Sequence, residues 1–343
     1  MDSNSQNKRK NLHRSVAAFV VTCAVIALWS GPAQGAPDNG TSKTAQYEQT
    51  AKPSQQIRVN GKAKKKPTQL RPTKKNIDQQ SVAVPAARQT TGTISLGFDP
   101  RINGFSFANW ADDPNNISIG VDVLVRVFGQ TSVCAKVIAG NCDPYKSVAD
   151  FLTKLRMALA NGRCDGLAVL ASRFFRKQSS LSEFSPNATT VAELTVSQVD
   201  NEVVYWWATQ VLPTFSKASS ETRTLLPSQF ADRVAMDIRS GAGSTIGIYA
   251  NGNGHSVLPI AIRFNGALVE IDVYDSNTPG LTQTLIIDRD LESWVYVERN
   301  SSGLDVQTFS GNGSSGLDLV PLDARQSAPT TYFAWLDGVK PGK

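Results

Sequence analysis

Length, composition and charge distribution limit the classes of protein that this chain can belong to. It has 343 residues, of which 41% are hydrophobic, enough for one large domain with tails or for two average domains. Its formal net charge of +6 is uneven: residues 1–36 hold four Lys/Arg and one Asp, and residues 37–93 hold eleven Lys/Arg and three Asp/Glu, which leaves −5 for residues 94–343. Since the excess positive charge lies in the N-terminal arm, charge gives no support to nucleic-acid binding by the rest of the chain.

The first 35 residues have the pattern of a secretory signal peptide. A basic stretch precedes an apolar run from Val16 to Trp29, and the small residues Ala33 and Gly35 follow at the spacing of a cleavage site. The apolar run is short for a membrane span, which needs about 20 residues. We therefore predict that residues 1–35 are a cleaved signal peptide and that the protein is secreted or associated with the cell envelope. An uncleaved membrane anchor is the alternative.

Residues 36–93 have the composition of a disordered segment. They are rich in Lys, Gln, Thr, Pro and Ala, they contain no Trp or Phe, and the stretch Lys62–Lys75 is strongly basic. We predict a disordered basic linker or pro-segment. Its simplest role is that of a flexible spacer. The alternatives are binding of the 62–75 tract to an anionic envelope polymer or lipid, and proteolytic removal.

The cysteines predict one disulfide bond. Cys23 lies in the predicted signal peptide, so a secreted chain keeps Cys134, Cys142 and Cys164. Cys134 and Cys142 flank a short loop and are the natural pair in an oxidising compartment. We therefore expect Cys164 to be left over by this pairing. The alternatives are that Cys164 is a buried core residue or takes part in a disulfide bond.

The region 94–343 is predicted to fold as one domain, and its first half is predicted to be helical. An aromatic, turn-rich stretch at its start predicts a packed loop. Five segments then carry apolar residues at helical spacing, the first of which also fits a strand. We expect Ser147 to cap the second helix and Pro213 to close the fourth. The segments cover residues 121–129, 147–162, 164–177, 201–215 and 226–241.

The second half of the same region has the pattern of strands. Six segments are rich in β-branched and aromatic residues and are separated by turn residues. They cover residues 245–250, 256–265, 268–277, 282–290, 293–300 and 317–323. Helices followed by strands predict an α+β domain with a largely antiparallel sheet.

A cysteine at the predicted start of a helix is the first candidate for chemistry. Cys164 opens an apolar helix between Gly162 and Gly166. The positive end of the helix dipole favours a thiolate at that position and so lowers the pKa of the thiol. We expect the two glycines to let a substrate backbone approach and to leave backbone N–H groups available to an oxyanion.

A histidine and a carboxylate complete the candidate site. The chain has two histidines, and since His13 lies in the predicted signal peptide, His255 is the base available to a cysteine nucleophile. Asp275 ends the next predicted strand, so two adjacent antiparallel strands would bring it near His255, where it would orient the ring. Asn277 is an alternative orienting residue. The competing interpretation makes His255 a turn residue, Cys164 a core residue and Asp275 the first residue of an Asx turn.

The stretches "GRCDGLAV", "GNGHSVLPIAI" and "VYDSNTPG" together resemble the Cys, His and Asp motifs of papain-like cysteine peptidases, nearest the bacterial double-glycine (bacteriocin-processing) peptidase-like branch. This resemblance implies a papain-like fold with Cys164 as nucleophile, His255 as base and Asp275 as orienting residue. The family usually places a glutamine shortly before the cysteine to complete the oxyanion hole, and this chain has none there. Asn161 and Gln210 are the candidates to replace it.

These observations predict a secreted cysteine hydrolase that cleaves a peptide or peptidoglycan-type (cell-wall) amide through a thioester, with no cofactor. One histidine and two bridged cysteines do not supply a zinc site, so no metal is expected. A transglutaminase-type acyl transferase uses the same residue order and is one alternative. The other is a weakly active or inactive peptidase-like module that binds the cell envelope.

Overall fold

The chain folds as an α+β protein in which most of the helices precede most of the strands, as the sequence predicts. The computed structural model describes residues 89–114 and 119–326, together with residues 333 and 337. All of these belong to one unit. The predicted signal peptide at 1–35, and almost all of the predicted basic linker at 36–93, lie outside the described residues. The first strand begins at Thr91, slightly before the predicted start of the domain at Ile94.

Eight helices lie in the described part of the chain, and the segments predicted to be helical are helical apart from their ends. Their bounds are α1 Pro100–Asn103, α2 Val121–Phe128, α3 Gln130–Val133, α4 Lys146–Leu159, α5 Cys164–Phe175, α6 Val196–Ala208, α7 Pro213–Arg223 and α8 Pro227–Ser240.

Two predicted helix ends are wrong. Ser147 does not cap α4: the cap position is Tyr145, and the Asp337 carboxylate accepts from the backbone N–H groups of Lys146 at 2.5 Å and Ser147 at 2.9 Å. Pro213 does not close a helix but opens α7, at a position where the missing N–H of proline costs nothing. The preceding helix, α6, ends at Ala208 and is followed by one short 3-10 turn.

The strands form an eight-stranded, curled antiparallel sheet and a separate hairpin. The strand order is β10-β4-β5-β6-β7-β8-β9, and β1 pairs with the second half of the long strand β5. The sequence patterns did not predict β1, β9 or the hairpin β2–β3. The strands are β1 Thr91–Ser95, β2 Cys134–Ile138, β3 Asn141–Pro144, β4 Thr245–Ala250, β5 Asn253–Asn265, β6 Leu268–Tyr274, β7 Thr282–Asp288, β8 Ser293–Arg299, β9 Asp305–Asn312 and β10 Leu317–Val320.

The predicted disulfide bond Cys134–Cys142 is confirmed. It joins the first residue of β2 to the second residue of β3, with 5.2 Å between the two Cα atoms. What the sequence indicated as a loop between two cysteines is therefore a short two-stranded ribbon. Val137 and Ile138, the last two residues of β2, are exposed.

The helix α5 lies inside the molecule, and all but two of its residues are buried. Gly166, in its first turn, packs against α6 so closely that a Cβ atom there would lie 2.2 Å from the carbonyl oxygen of Val203. The glycine therefore serves close helix packing, and this corrects the expectation that it leaves room for a substrate backbone. Gly162, just before the helix, has a φ of 126°, which a residue with a side chain rarely adopts.

Replacing Gly166 with alanine is expected to lower the free energy of unfolding by about 1–3 kcal/mol, because the added methyl group must push α6 away. The sign is diagnostic, since alanine in an unobstructed helix is more favourable than glycine by about 1 kcal/mol. Urea denaturation measures the change. A variant as stable as the wild type, or more stable, would show that the contact between the two helices is not tight.

Within the described residues, no helix combines the length and the apolar character that crossing a bilayer requires.

Candidate active site

Cys164 is the first residue of α5 and is completely buried. The start of the helix falls where the sequence predicts it, with Arg163 at the cap position. Cys164 is, however, not left over by disulfide pairing, because none of the described cysteines is free and Cys164 is disulfide-bonded. Any chemistry of a Cys164 thiol therefore concerns the reduced protein.

His255 and Asp275 lie against each other in the interior. His255 is in the first half of β5, and Asp275 directly follows β6, which pairs antiparallel with β5 through Leu258 and Tyr274. The ring atom Nε2 of His255 lies 2.9 Å from the carboxylate atom Oδ1 of Asp275. The structure thus brings together the pair that the strand pattern predicted to be close.

Both oxygens of the Asp275 carboxylate accept hydrogen bonds from other protein groups. The Tyr296 hydroxyl donates to Oδ2, and the backbone N–H of Asn277 donates to Oδ1 at 2.8 Å. Nε2 of His255 is thereby directed to a fixed acceptor, while Nδ1 of the same ring is buried and has no hydrogen-bond partner among the described residues. Nδ1 is therefore the ring nitrogen left to accept a proton from a reacting group.

Two aromatic rings hold the imidazole of His255 in its plane. The rings of Tyr296 on β8 and Phe309 on β9 lie nearly parallel to it, at 29° and 16°, with centroids 6.4 Å away in both cases. The imidazole therefore lies between aromatic side chains of the sheet, with Nε2 directed at Asp275.

The charges of the pair favour a protonated histidine. Burial opposes charge on His255, but the attraction and the hydrogen bond of Asp275, with a smaller contribution from Glu298, leave the pKa of the imidazole above its ordinary value. For Asp275, burial again opposes the charged form, but the charge and hydrogen bond of His255 and the bonds from Tyr296 and Asn277 leave its pKa below the ordinary value. The arrangement therefore stabilises an imidazolium facing a carboxylate, which is the state that a general base reaches after it takes a proton.

Glu298 is a second buried carboxylate next to this pair. It lies on β8, and its Oε2 accepts a hydrogen bond from Nδ2 of Asn277 at 3.1 Å. Ligand atoms of Glu298, His255 and Asp275 all lie within 4.8 Å of one another, which is a donor set of the kind that binds divalent metals. We assign no metal to this cluster, because both oxygens of Asp275 already accept hydrogen bonds from protein groups.

Glu298 is expected to make folding less favourable as the pH rises. Burial and the nearby charge of Asp275 raise its pKa above the ordinary 4.5, so the folded state holds this proton where the unfolded state has lost it. Stability therefore falls as the pH rises from 4.5 through the folded-state pKa. In Glu298→Gln this fall should be absent, so the wild type should lose stability relative to the variant over that range. Urea denaturation at several pH values measures the difference, and a difference that does not vary with pH would contradict the assignment.

Direct contacts connect the start of α5 with the histidine strand. Asp165, the residue after Cys164, accepts a hydrogen bond at 2.9 Å from the hydroxyl of Ser256, the residue after His255. The elements that carry Cys164 and His255 therefore meet at the residues next to them.

The same Asp165 carboxylate forms a buried ion pair with Arg325. The guanidinium donates to both carboxylate oxygens, at 2.7 and 2.8 Å, and to the hydroxyl groups of Thr245 and Thr209. Arg325 belongs to a short 3-10 helix after β10. A segment near the C-terminal end of the described chain is therefore bonded to the first turn of α5.

The candidates proposed to replace the oxyanion glutamine lie at helix ends. Nδ2 of Asn161 donates to the carbonyl of Met157 at 3.2 Å, and Nε2 of Gln210 donates to the carbonyl of Trp207 at 3.0 Å. Neither side chain is bonded to the His255–Asp275 pair. Asn277 does belong to the cluster, through Asp275 and Glu298, but Asp275 is the residue that contacts the ring.

The structure adds residues that the sequence argument did not identify. Trp294, Tyr296 and Glu298 alternate along β8 and are all buried, so the two-residue period of the strand puts an acid on its apolar face. That pattern was visible in the sequence and would have indicated Glu298. Arg325, in contrast, lies far along the chain from Asp165, and no local pattern connects the two.

The cluster is closed to solvent. Exposure is 0% for Cys164, 2% for His255 and 0% for Asp275. An open cavity of about 800 Å³ lies elsewhere, between α2, α4 and α6, and none of these three residues lines it. A substrate therefore reaches the cluster only if part of the protein moves.

Comparison of the chain with models of protein families, with curated proteins and with solved structures found no match.

Proposed function

We propose that the chain is a cysteine hydrolase of papain-like fold that cleaves a peptide or peptidoglycan-type amide through a thioester on Cys164. The observation that carries the proposal is the buried His255–Asp275 pair, in which Nδ1 of the imidazole has no hydrogen-bond partner among the described residues. The Ser256–Asp165 contact, which joins the strand of His255 to the first turn of α5, supports the proposal. The antiparallel sheet and the order Cys, His, Asp along the chain support the papain-like assignment.

The reaction would run on the reduced protein. The Cys164 thiol gives its proton to Nδ1 of His255, and the thiolate attacks the carbonyl carbon of the amide. The C–N bond breaks, and the leaving amine takes the proton back from Nδ1. Water, deprotonated by the same nitrogen, then hydrolyses the thioester and restores the thiol. Asp275 accepts the hydrogen bond from Nε2–H throughout and stabilises the imidazolium.

We propose that this activity lies outside the cytoplasm. A signal peptide over residues 1–35 would export the chain, and the basic tract at 62–75 would keep it near an anionic envelope polymer or lipid. Peptide bonds in cell-wall material are the amides that such a protein meets there.

An inactive or weakly active peptidase-like module that binds the cell envelope is the second candidate. The complete burial of Cys164 and its disulfide-bonded state favour it. A transglutaminase-type transferase would form the same thioester but transfer the acyl group to an amine in place of water.

Hydrolysis by the reduced protein tests the proposal. The protein is treated with a thiol reductant and incubated with a peptide mixture and with peptidoglycan fragments, and new amino groups are counted. We expect release of amines by the wild type, no release by Cys164→Ala, and trapping of the acyl group when hydroxylamine is added. Incorporation of an added amine in preference to water would favour the transferase, and release that persists in Cys164→Ala would contradict the proposal.

A further inference from the structure

Asn109 is a buried polar residue in the loop between α1 and α2. Its side chain makes two hydrogen bonds, one as an acceptor and one as a donor. Its Oδ1 accepts from the backbone N–H of Arg163 at 2.7 Å. Its Nδ2 donates to Oδ1 of Asn277 at 3.0 Å. Its own backbone N–H donates to the carbonyl of Ser276 at 2.8 Å. One residue thus bonds to two parts of the chain that are far from it in sequence.

Both of these parts carry candidate site residues. Arg163 immediately precedes Cys164, so the bond to its N–H fixes the backbone where α5 begins. Ser276 and Asn277 immediately follow Asp275, so the other two bonds fix the turn that carries the orienting carboxylate. Asn109 therefore joins the cysteine side of the site to the aspartate side.

The bond from Asn109 also determines which way the amide of Asn277 points. Oδ1 of Asn277 accepts from Asn109, while Nδ2 donates to Glu298 and the backbone N–H donates to Asp275. A rotated Asn277 amide would place an N–H against the Asn109 N–H and an oxygen against the Glu298 carboxylate. Asn109 thereby specifies a single arrangement of the polar groups beside the His255–Asp275 pair.

The loop that carries Asn109 is itself anchored to the start of α5. The buried guanidinium of Arg163 donates to the carbonyl of Trp110 at 3.3 Å and to the carboxylate of Asp112 at 2.5 Å, and it lies 4.5 Å from the centre of the Trp110 ring. The residues after Asn109 are thus held by the same Arg163 whose N–H it binds. Hydrogen bonds therefore anchor the bridge at both ends.

We infer that Asn109 is a positioning residue for the proposed reaction: through Arg163 and Asn277 it sets the placement of the Cys164 sulfur relative to the His255 ring. The inference rests on the proposed function. Asn109 contacts none of the reacting groups, so its effect is indirect and must show in a property of the Cys164–His255 pair as well as in stability.

Two substitutions separate the two bonds. Asn109→Ala removes both and leaves the buried N–H of Arg163 without an acceptor. Asn109→Asp keeps an acceptor for that N–H but loses the donor to Asn277, and it sets a carboxylate against the Oδ1 of Asn277. Asn103→Ala is the matched control, because Oδ1 of Asn103, the last residue of α1, accepts the backbone N–H of Asp99 at 2.8 Å and makes no described hydrogen bond to Arg163 or to residues 275–277.

The experiment measures the rate of Cys164 alkylation by iodoacetamide against pH, on the reduced protein, with the Cys164 peptide quantified by mass spectrometry. Urea denaturation of each variant gives its stability. We expect Asn109→Ala to move the apparent pKa of the Cys164 thiol towards the value of about 8.5 for an unassisted cysteine. Asn109→Asp should lie between Asn109→Ala and wild type, and Asn103→Ala should titrate like wild type even if it is destabilised.

The outcomes separate this inference from the proposed function. If the wild-type thiol responds to His255→Ala but Asn109→Ala titrates like wild type, the positioning role is wrong and the proposed function stands. An equal shift in Asn103→Ala would also overturn the role, because it would show general loosening. If the wild-type thiol does not respond to His255→Ala, the proposed function fails and the inference fails with it. Should Asn109→Ala not fold, Asn109→Asp decides by the same criteria.

Discussion

Replacing Arg325 with methionine is expected to lower the free energy of unfolding by about 3–5 kcal/mol, because it leaves a buried carboxylate without its partner. Arg325 is fully buried and donates to both oxygens of Asp165, which is itself 2% exposed. The remaining partners of the carboxylate, the hydroxyl groups of Ser256 and Thr245, carry no charge.

Urea denaturation measures this loss, and Arg299→Met is the matched control. Arg299 forms an ion pair with Asp305 at 3.0 Å, but both side chains are about half exposed. Exposed pairs of this kind contribute about 0–1 kcal/mol. A double variant in which Asp165 is also replaced by a neutral residue should lose less stability than Arg325→Met alone, because no buried charge is then left without a partner. If Arg325→Met loses no more stability than Arg299→Met, the buried pair does not hold the first turn of α5 in place.

His255→Ala is expected to slow the proposed hydrolysis by about 10²–10⁴-fold, the range for loss of a positioned general base. His255 takes the thiol proton through Nδ1 and returns it to the leaving amine, and no other imidazole lies in the described residues. The measurement is the rate of amine release by the reduced protein.

The double variant Cys164→Ala/His255→Ala provides the control for this prediction. Because the two side chains act on the same step, removing both should cost about as much as removing Cys164 alone. If the fold-losses in rate of the two single variants multiply in the double variant, the residues act independently. A His255→Ala variant as active as wild type would show that His255 is not the general base.

Much of the His–Asp geometry was predictable because it follows from local rules. A short connection between two strands makes them antiparallel neighbours, so the end of β6 had to lie near the first half of β5. The spacing of apolar residues along the sequence also predicted that a helix starts at Cys164. These predictions depend on residues close together in sequence, where backbone geometry leaves few alternatives.

The parts that could not be predicted depend on contacts between distant segments. Asp337 caps α4 in place of Ser147, and Arg325 pairs with Asp165, although no local pattern indicates either contact. Pro213 was misjudged for a different reason: proline is compatible both with the end of one helix and with the first turn of the next, and only the neighbouring structure distinguishes them.

The glycine next to the candidate nucleophile illustrates the same limit. A glycine near a cysteine at a helix start indicates space for a substrate, but Gly166 is there because α6 packs against it. Sequence alone gives the absence of a side chain, and the structure shows which neighbour requires that absence.

The most direct test of the central claim compares Cys164 alkylation in the reduced wild type and in His255→Ala over a range of pH. The proposed Cys164–His255 pair predicts a wild-type thiol that titrates well below the free-cysteine value of about 8.5, and an upward shift in the variant. A wild-type thiol that titrates at or above that value, or one that His255→Ala leaves unchanged, would contradict the claim that these residues form a catalytic pair.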